Sequence, residues 1–196
     1  MVSNILLPGT GIIFMKVGTH AGEPLSEIIR RKTREIDETG YALWGYGGNT
    51  CHPRTMVQPF CKDHAQSGSP IVLCMEKMDS NHFASQVRAD QMSVDGVEWL
   101  DIPNTVNAIG SRFALKLSSL REEELVLPLE QTRVGIGKQQ GRNGIEYIRG
   151  RVDKACLEIT RREDSGVDQN EVRNININLV AELADPFAVF LRNRTR

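Results

Sequence analysis

No apolar run in the 196 residues approaches the ~20 that a membrane-spanning helix needs. Met1 to Leu7 is too short and too lightly charged for a secretory leader. A cytoplasmic chain with no membrane partner is the expectation. Charge of one sign is also lacking. The chain has 24 Lys and Arg against 25 Asp and Glu, a formal net charge of −1. That balance disfavours broad, non-specific nucleic-acid binding, which needs a field of cations. Cysteine is sparse. Cys51, Cys61, Cys74 and Cys156 are scattered without framework spacing, so free thiols are expected rather than disulfides. Zinc signatures use tighter pairs than Cys51, His52, Cys61 and His64 provide, and no metal or other cofactor is expected. No Gly-Lys-Ser/Thr step and no dinucleotide fingerprint spacing is present. Repeats and low-complexity tracts are missing too.

What is present reads as an α+β domain large enough to bury its own core. Gly11 to Val17 has the composition of a buried strand. Pro24 to Thr39 is a helix signature, with Pro at its start and Gly40 just past its end. Leu25, Ile28, Ile29 and Ile36 share its inner face, with Arg30, Arg31, Arg34 and Glu35 placed largely away from it. A short strand covers Tyr41 to Trp44. A second helix is expected within Pro53 to Ser67, kinked or delayed by Pro59, with Met56, Val57, Phe60, Cys61 and His64 inward.

Ile71 to Glu76 is a strongly apolar strand. Ser93 to Trp99 reads as a hairpin turning at Asp95-Gly96. Strands are expected over Arg112 to Leu117 and Glu124 to Leu129, and a helix over Ile145 to Ile159. Residues 1–160 are expected to form one ligand-binding domain. Residues 161–196 are expected to form a polar linker and a late strand, which Asp185-Pro186 interrupts before the apolar Phe187 to Leu191 tail. Such a tail is costly to expose, which suggests a homo-oligomer.

Residues 41 to 50, YALWGYGGNT, hold two tyrosines and one of only two tryptophans beside three glycines. Trp44 and Tyr46 offer flat faces on which a base could stack, and Asn49 an amide that both donates and accepts. Trp44 as plain core, with the glycines making a tight turn, is the competing reading. The order of strand, amphipathic helix, Trp-bearing strand, helix and apolar strand running into DSNHFA (79 to 84) resembles the YTH and EVE group of PUA-like domains. The similarity covers roughly residues 11 to 100. It implies a curved mixed sheet or small barrel flanked by helices. It also implies Trp44 as a cage wall, Asn49 as a polar reader, and His82 and Phe83 at the family's own His-Phe step.

RVGIGKQQGRNG, residues 133 to 144, is glycine-rich and basic. Successive backbone N–H groups in such a bend can cradle an anion, and a following helix would aim its N-terminus at it. Arg133, Lys138, Arg142 and Arg149 are the candidate phosphate ligands; a solvated surface loop is the alternative. Catalysis has weaker support. Cys51 with His52 or His82 could pair as nucleophile and base, and His20, His52 and His82 could serve acid–base cleavage of a phosphodiester. The expected function is therefore non-catalytic binding of a nucleotide or nucleotide-derived small molecule, such as a sequestered signalling nucleotide of the phage anti-defence type. The alternatives are a reader of a modified base in DNA or RNA and a nucleotide hydrolase.

Overall fold

A computed structural model of the chain describes residues 6–47, 54–148, 152–164 and 172–194. It is α+β, and the chain divides into two compact units, each discontinuous in sequence. Three long strands, β1 (Gly11–His20), β3 (Ile71–His82) and β10 (Asn174–Arg192), begin in one unit and end in the other.

The first unit comprises residues 1–16, 49–77 and 122–180. Its strand order includes β3–β1–β9–β8, with β9 at Lys154–Ile159 and β8 at Thr132–Val134. β7 (Arg121–Pro128), which covers most of the strand expected over Glu124 to Leu129, pairs with β10. β1 runs antiparallel to β9, pairing Gly11 with Glu158 and Met15 with Lys154. β9 carries β8 on its other side, pairing Val134 with Leu157. A strand flanked on both sides within a packed unit favours unbroken apolar runs, which explains Ile12-Ile13-Phe14 and Ala155-Cys156-Leu157, all fully buried. Ile12, Phe14, Val72, Leu127, Leu157 and Ile177 belong to one core cluster. α2 (Arg54–Gln66) contains Pro59 in its interior without losing the helix. Pro59 lies on the exposed side, while Val57, Phe60 and Cys61 face inward as their spacing predicts.

The second unit comprises residues 17–48, 78–121 and 181–196. Here β2 (Ala42–Gly45) pairs with β6 (Phe113–Leu117), β6 with the end of β10, and β10 with β4 (Gln91–Ser93), all antiparallel. β5 (Leu100–Asp101) closes on β4. α1 (Leu25–Thr39) has its expected ends. Pro24 stands before its first residue, and Gly40 takes φ 81° and donates to the Ile36 carbonyl. In neither unit do the described strands return on themselves as a closed barrel.

Several expectations are corrected. The helix expected over Ile145 to Ile159 is only α3 (Gly144–Tyr147), followed after residues 149–151 by β9. Ile145, Ile148, Val152 and Ile159 are spaced as a helix face, but the run from Ala155 is buried by strands on both sides, and tertiary pairing decides. The Asp95-Gly96 hairpin exists with a longer loop. β4 and β5 pair Met92 with Leu100, and the Asp95 carboxylate accepts from the Val97 and Glu98 amides. Asp185-Pro186 does not end β10. The strand's register shifts between Leu183 and Ala188, with Phe187 at φ 67°, and pairing then resumes. Ala188, Val189 and Leu191 are buried between β6 and β4, so the tail offers a second copy little apolar surface.

Candidate functional site

The aromatic stretch lies inside the second unit. Trp44 is 5% exposed and Tyr46 2%. Trp44 pairs with Leu115 on β6, and the Tyr46 amide donates to the Phe113 carbonyl. Both rings are packed in protein, and a base could reach them only by displacing core. Gly45 has a local reason to be glycine: a Cβ there would strike the Ser111 hydroxyl. Asn49, Cys51, His52 and Arg149 lie outside the described residues.

The glycine-rich loop belongs to the first unit, and several of its backbone donors are engaged within that unit. Val134 and Arg142 are tied by an amide–carbonyl bond, Gly141 donates to Val134, Gln140 to Gly137, and Gly135 to Cys156. A cradle for an anion needs those N–H groups free. Its arginines are exposed but paired, Arg133 with Glu158 at 2.9 Å and Arg142 with Glu146 at 3.0 Å. Lys138 is exposed on the same loop. α3 is a single turn capped by Asn143, whose carboxamide oxygen accepts from the Ile145 amide. In the same unit, burial pushes the Cys61 thiol up to about 12, and Cys61, Cys74 and Cys156 are buried outside any disulfide. Such thiols are poor nucleophiles and poor metal ligands.

The second unit brings together a different set. β1 ends at His20 and β3 at His82. A tight turn follows His20, with Ala21 at φ 51° and Gly22 at φ 80°. His20 and Glu23 exchange backbone bonds across it, and the Ala21 amide donates to the His82 carbonyl at 3.0 Å. This tie stacks the two imidazoles, with centroids 5.4 Å apart and planes 10° from parallel. His20 Nε2–H donates to the Ile109 carbonyl at 3.1 Å. A carbonyl only accepts, so Nε2 carries the hydrogen and Nδ1 holds the lone pair in the neutral ring. Burial, the largest influence, lowers the His20 pKa; the bond to Ile109 works against this and the charge of His82 adds to it. His82 is exposed, and the next residue, Phe83, is 88% exposed.

Beneath the pair lies a charge network that the sequence reading missed. Arg31 grips Glu23 with two nitrogens, at 3.0 and 2.5 Å. It also donates to Glu35 at 3.0 Å and to the Asn107 carbonyl at 2.7 Å. Lys32 donates to Glu35 at 2.9 Å and to the same carbonyl at 2.6 Å. Glu35 takes a further bond from the Asn107 amide. Glu35 and Lys32 are buried, which corrects the placement of Glu35 on the outer face of α1. The Arg31 hydrogen bond holds the Glu23 carboxyl below its ordinary value. Burial brings Lys32 down to about 8, against the pull of Glu35. Two cations and two carboxylates balance here, and their bonds to the Asn107 amide and carbonyl hold the chain two residues before the Ile109 carbonyl that orients His20. The spacing was the available signal: Arg31 and Lys32 stand four and three residues before Glu35, contact distances on a helix.

Gly110 completes the geometry. It takes φ 70°, and a Cβ there would lie 2.7 Å from the Ala84 Cβ, 2.8 Å from the Ser85 carbonyl and 3.0 Å from His20 Nε2. Only glycine lets the segment after Phe83 approach His20 this closely. Among the described residues no cluster of three or more metal-ligating side chains occurs, and no helix is long and apolar enough to cross a membrane. No protein-family model matches the chain, and neither a curated protein nor a solved structure matches it.

Proposed function

We propose that the protein binds a nucleotide or nucleotide-derived small molecule at the strand ends carrying His20, His82 and Phe83. The observation that carries this reading is the stacked imidazole pair beside a fully presented phenyl ring. Imidazole N–H groups donate to phosphate oxygens, and an exposed aromatic face stacks on a base for about 1–3 kcal/mol. A phenylalanine left 88% exposed costs solvation unless a ligand covers it. The order β1, α1, β2, α2, β3 ending in His82-Phe83 also supports a PUA-like reading, with Phe83 replacing the buried Trp44 and Tyr46 as the stacking surface. The net charge of −1 favours a small, discrete ligand over a polymer. Sequestering a signalling nucleotide is one role such binding would serve.

The test is mass spectrometry of small molecules released from the purified, denatured protein, together with calorimetric titration of nucleotides. A nucleotide bound by wild type and lost in Phe83→Ala and His82→Ala supports the site. Binding unaffected by both substitutions, but lost on Arg142→Ala, would move the site to the glycine-rich loop.

A further inference from the structure

We propose that the stacked His20–His82 pair cleaves a ribonucleotide phosphodiester, His20 acting as base and His82 as acid. This rests on the nucleotide-binding reading of the same site and adds a reaction to it. The two rings are chemically unequal, which is what a one-step proton relay needs. His20 is half-buried, with Nε2–H committed to the Ile109 carbonyl, so Nδ1 is its remaining basic atom. His82 is exposed, so its ring faces solvent. The ring centroids lie 5.4 Å apart with planes 10° from parallel, a separation that the oxygens of one phosphate can bridge. The charged groups around His20 are His82, Glu23 and Arg31, and Glu23 is held by Arg31. Neither therefore competes as the proton acceptor.

The step balances without a metal, water or redox partner. His20 Nδ1 takes the proton of the ribose 2′-hydroxyl. The 2′-oxygen then bonds to phosphorus, and the phosphorus–O5′ bond breaks. His82 delivers its proton to the departing O5′. The products are a 2′,3′-cyclic phosphate and a free 5′-hydroxyl, and the pair is left with its proton moved from one ring to the other. Solvent resets it. The substrate class is a dinucleotide-type molecule with a 2′-hydroxyl beside its phosphodiester, and a deoxy counterpart is bound but not cut.

The experiment incubates the full chain, in EDTA, with the dinucleoside monophosphate ApA and with its counterpart lacking 2′-hydroxyls. Products are followed by mass spectrometry and binding of the deoxy compound by calorimetry. The expected result is adenosine 2′,3′-cyclic phosphate from ApA only. Its rate should fall at least about 100-fold in both His20→Ala and His82→Ala, with a bell-shaped pH profile in wild type. His82→Ala alters an exposed side chain and controls for folding, and circular dichroism does so for His20→Ala. Intact ApA with retained binding of the deoxy compound overturns the cleavage proposal and leaves the binding site standing. Neither cleavage nor binding overturns both. Cleavage that survives both substitutions assigns the activity to something other than this pair and overturns the proposal.

Discussion

Glu35→Gln should be among the most damaging isosteric substitutions in the second unit. Both Glu35 carboxylate oxygens are committed: Oε1 to Arg31 and the Asn107 amide, Oε2 to Lys32. The glutamine keeps the shape, but its NH₂ faces the Lys32 ammonium, donor against donor. Lys32, with 4% of its side chain exposed, then keeps only the Asn107 carbonyl. Removing one partner of a buried pair costs about 3–5 kcal/mol, because the other charge stays buried without compensation. Urea denaturation at pH 7 would measure it. Lys32→Met in the same chain should recover more than half of the loss, since the stranded charge is gone. A cost below about 1 kcal/mol, or a double variant as unstable as Glu35→Gln alone, would refute the reasoning. The wild type carries a pH signature of the same burial. Lys32 sits at about 8 in the folded chain against 10.5 for a free lysine. Its folded value is depressed, so between those two pH values the unfolded chain binds the proton more tightly. Stability relative to Lys32→Met should therefore be lowest below pH 8 and rise as pH climbs toward 10.5, by up to about 3 kcal/mol.

Trp44→Ala should cost about 3–5 kcal/mol of stability, as a core truncation, and Phe83→Ala almost none, while only the latter weakens nucleotide binding directly; thermal melts and calorimetry on both variants separate the two roles. Gly110→Ala forces a side chain into positive φ against the segment at 84–85 and His20. It should destabilise by more than about 1 kcal/mol and shift the His20 ring resonances in NMR. Gly135→Ala drives a methyl into the buried Phe60 ring and should likewise lower the melting temperature. Arg133→Ala and Arg142→Ala break only exposed pairs, and should change stability by no more than about 0.5 kcal/mol in denaturant titrations.

Much of the architecture was legible along the chain. β1, α1, β2, α2 and β3 fall where period and end signals put them, because Pro24, Gly40 and the Ile71-Val72-Leu73 run act locally. The segment after Ile145 was not, since isoleucine spacing suits a helix and a strand alike, and only β1 and β8 on either side choose the strand. Pro186 looked like a stop, but a bulge absorbs a missing N–H, which no local rule foresees. The candidate site shows the same division. Composition by itself showed a near balance of charge, which disfavours binding through a broad field of cations. The resemblance over residues 11 to 100, and not composition, pointed to His82 and Phe83. That His20 stacks on His82, that Trp44 and Tyr46 are spent on the core, and that Lys32 and Glu35 neutralise each other inside the second unit were decided by tertiary structure. These outcomes depend on which strand ends meet and which helix face is covered. Both are set by contacts between residues some 60 to 75 positions apart, such as His20 with His82 and Glu35 with Asn107.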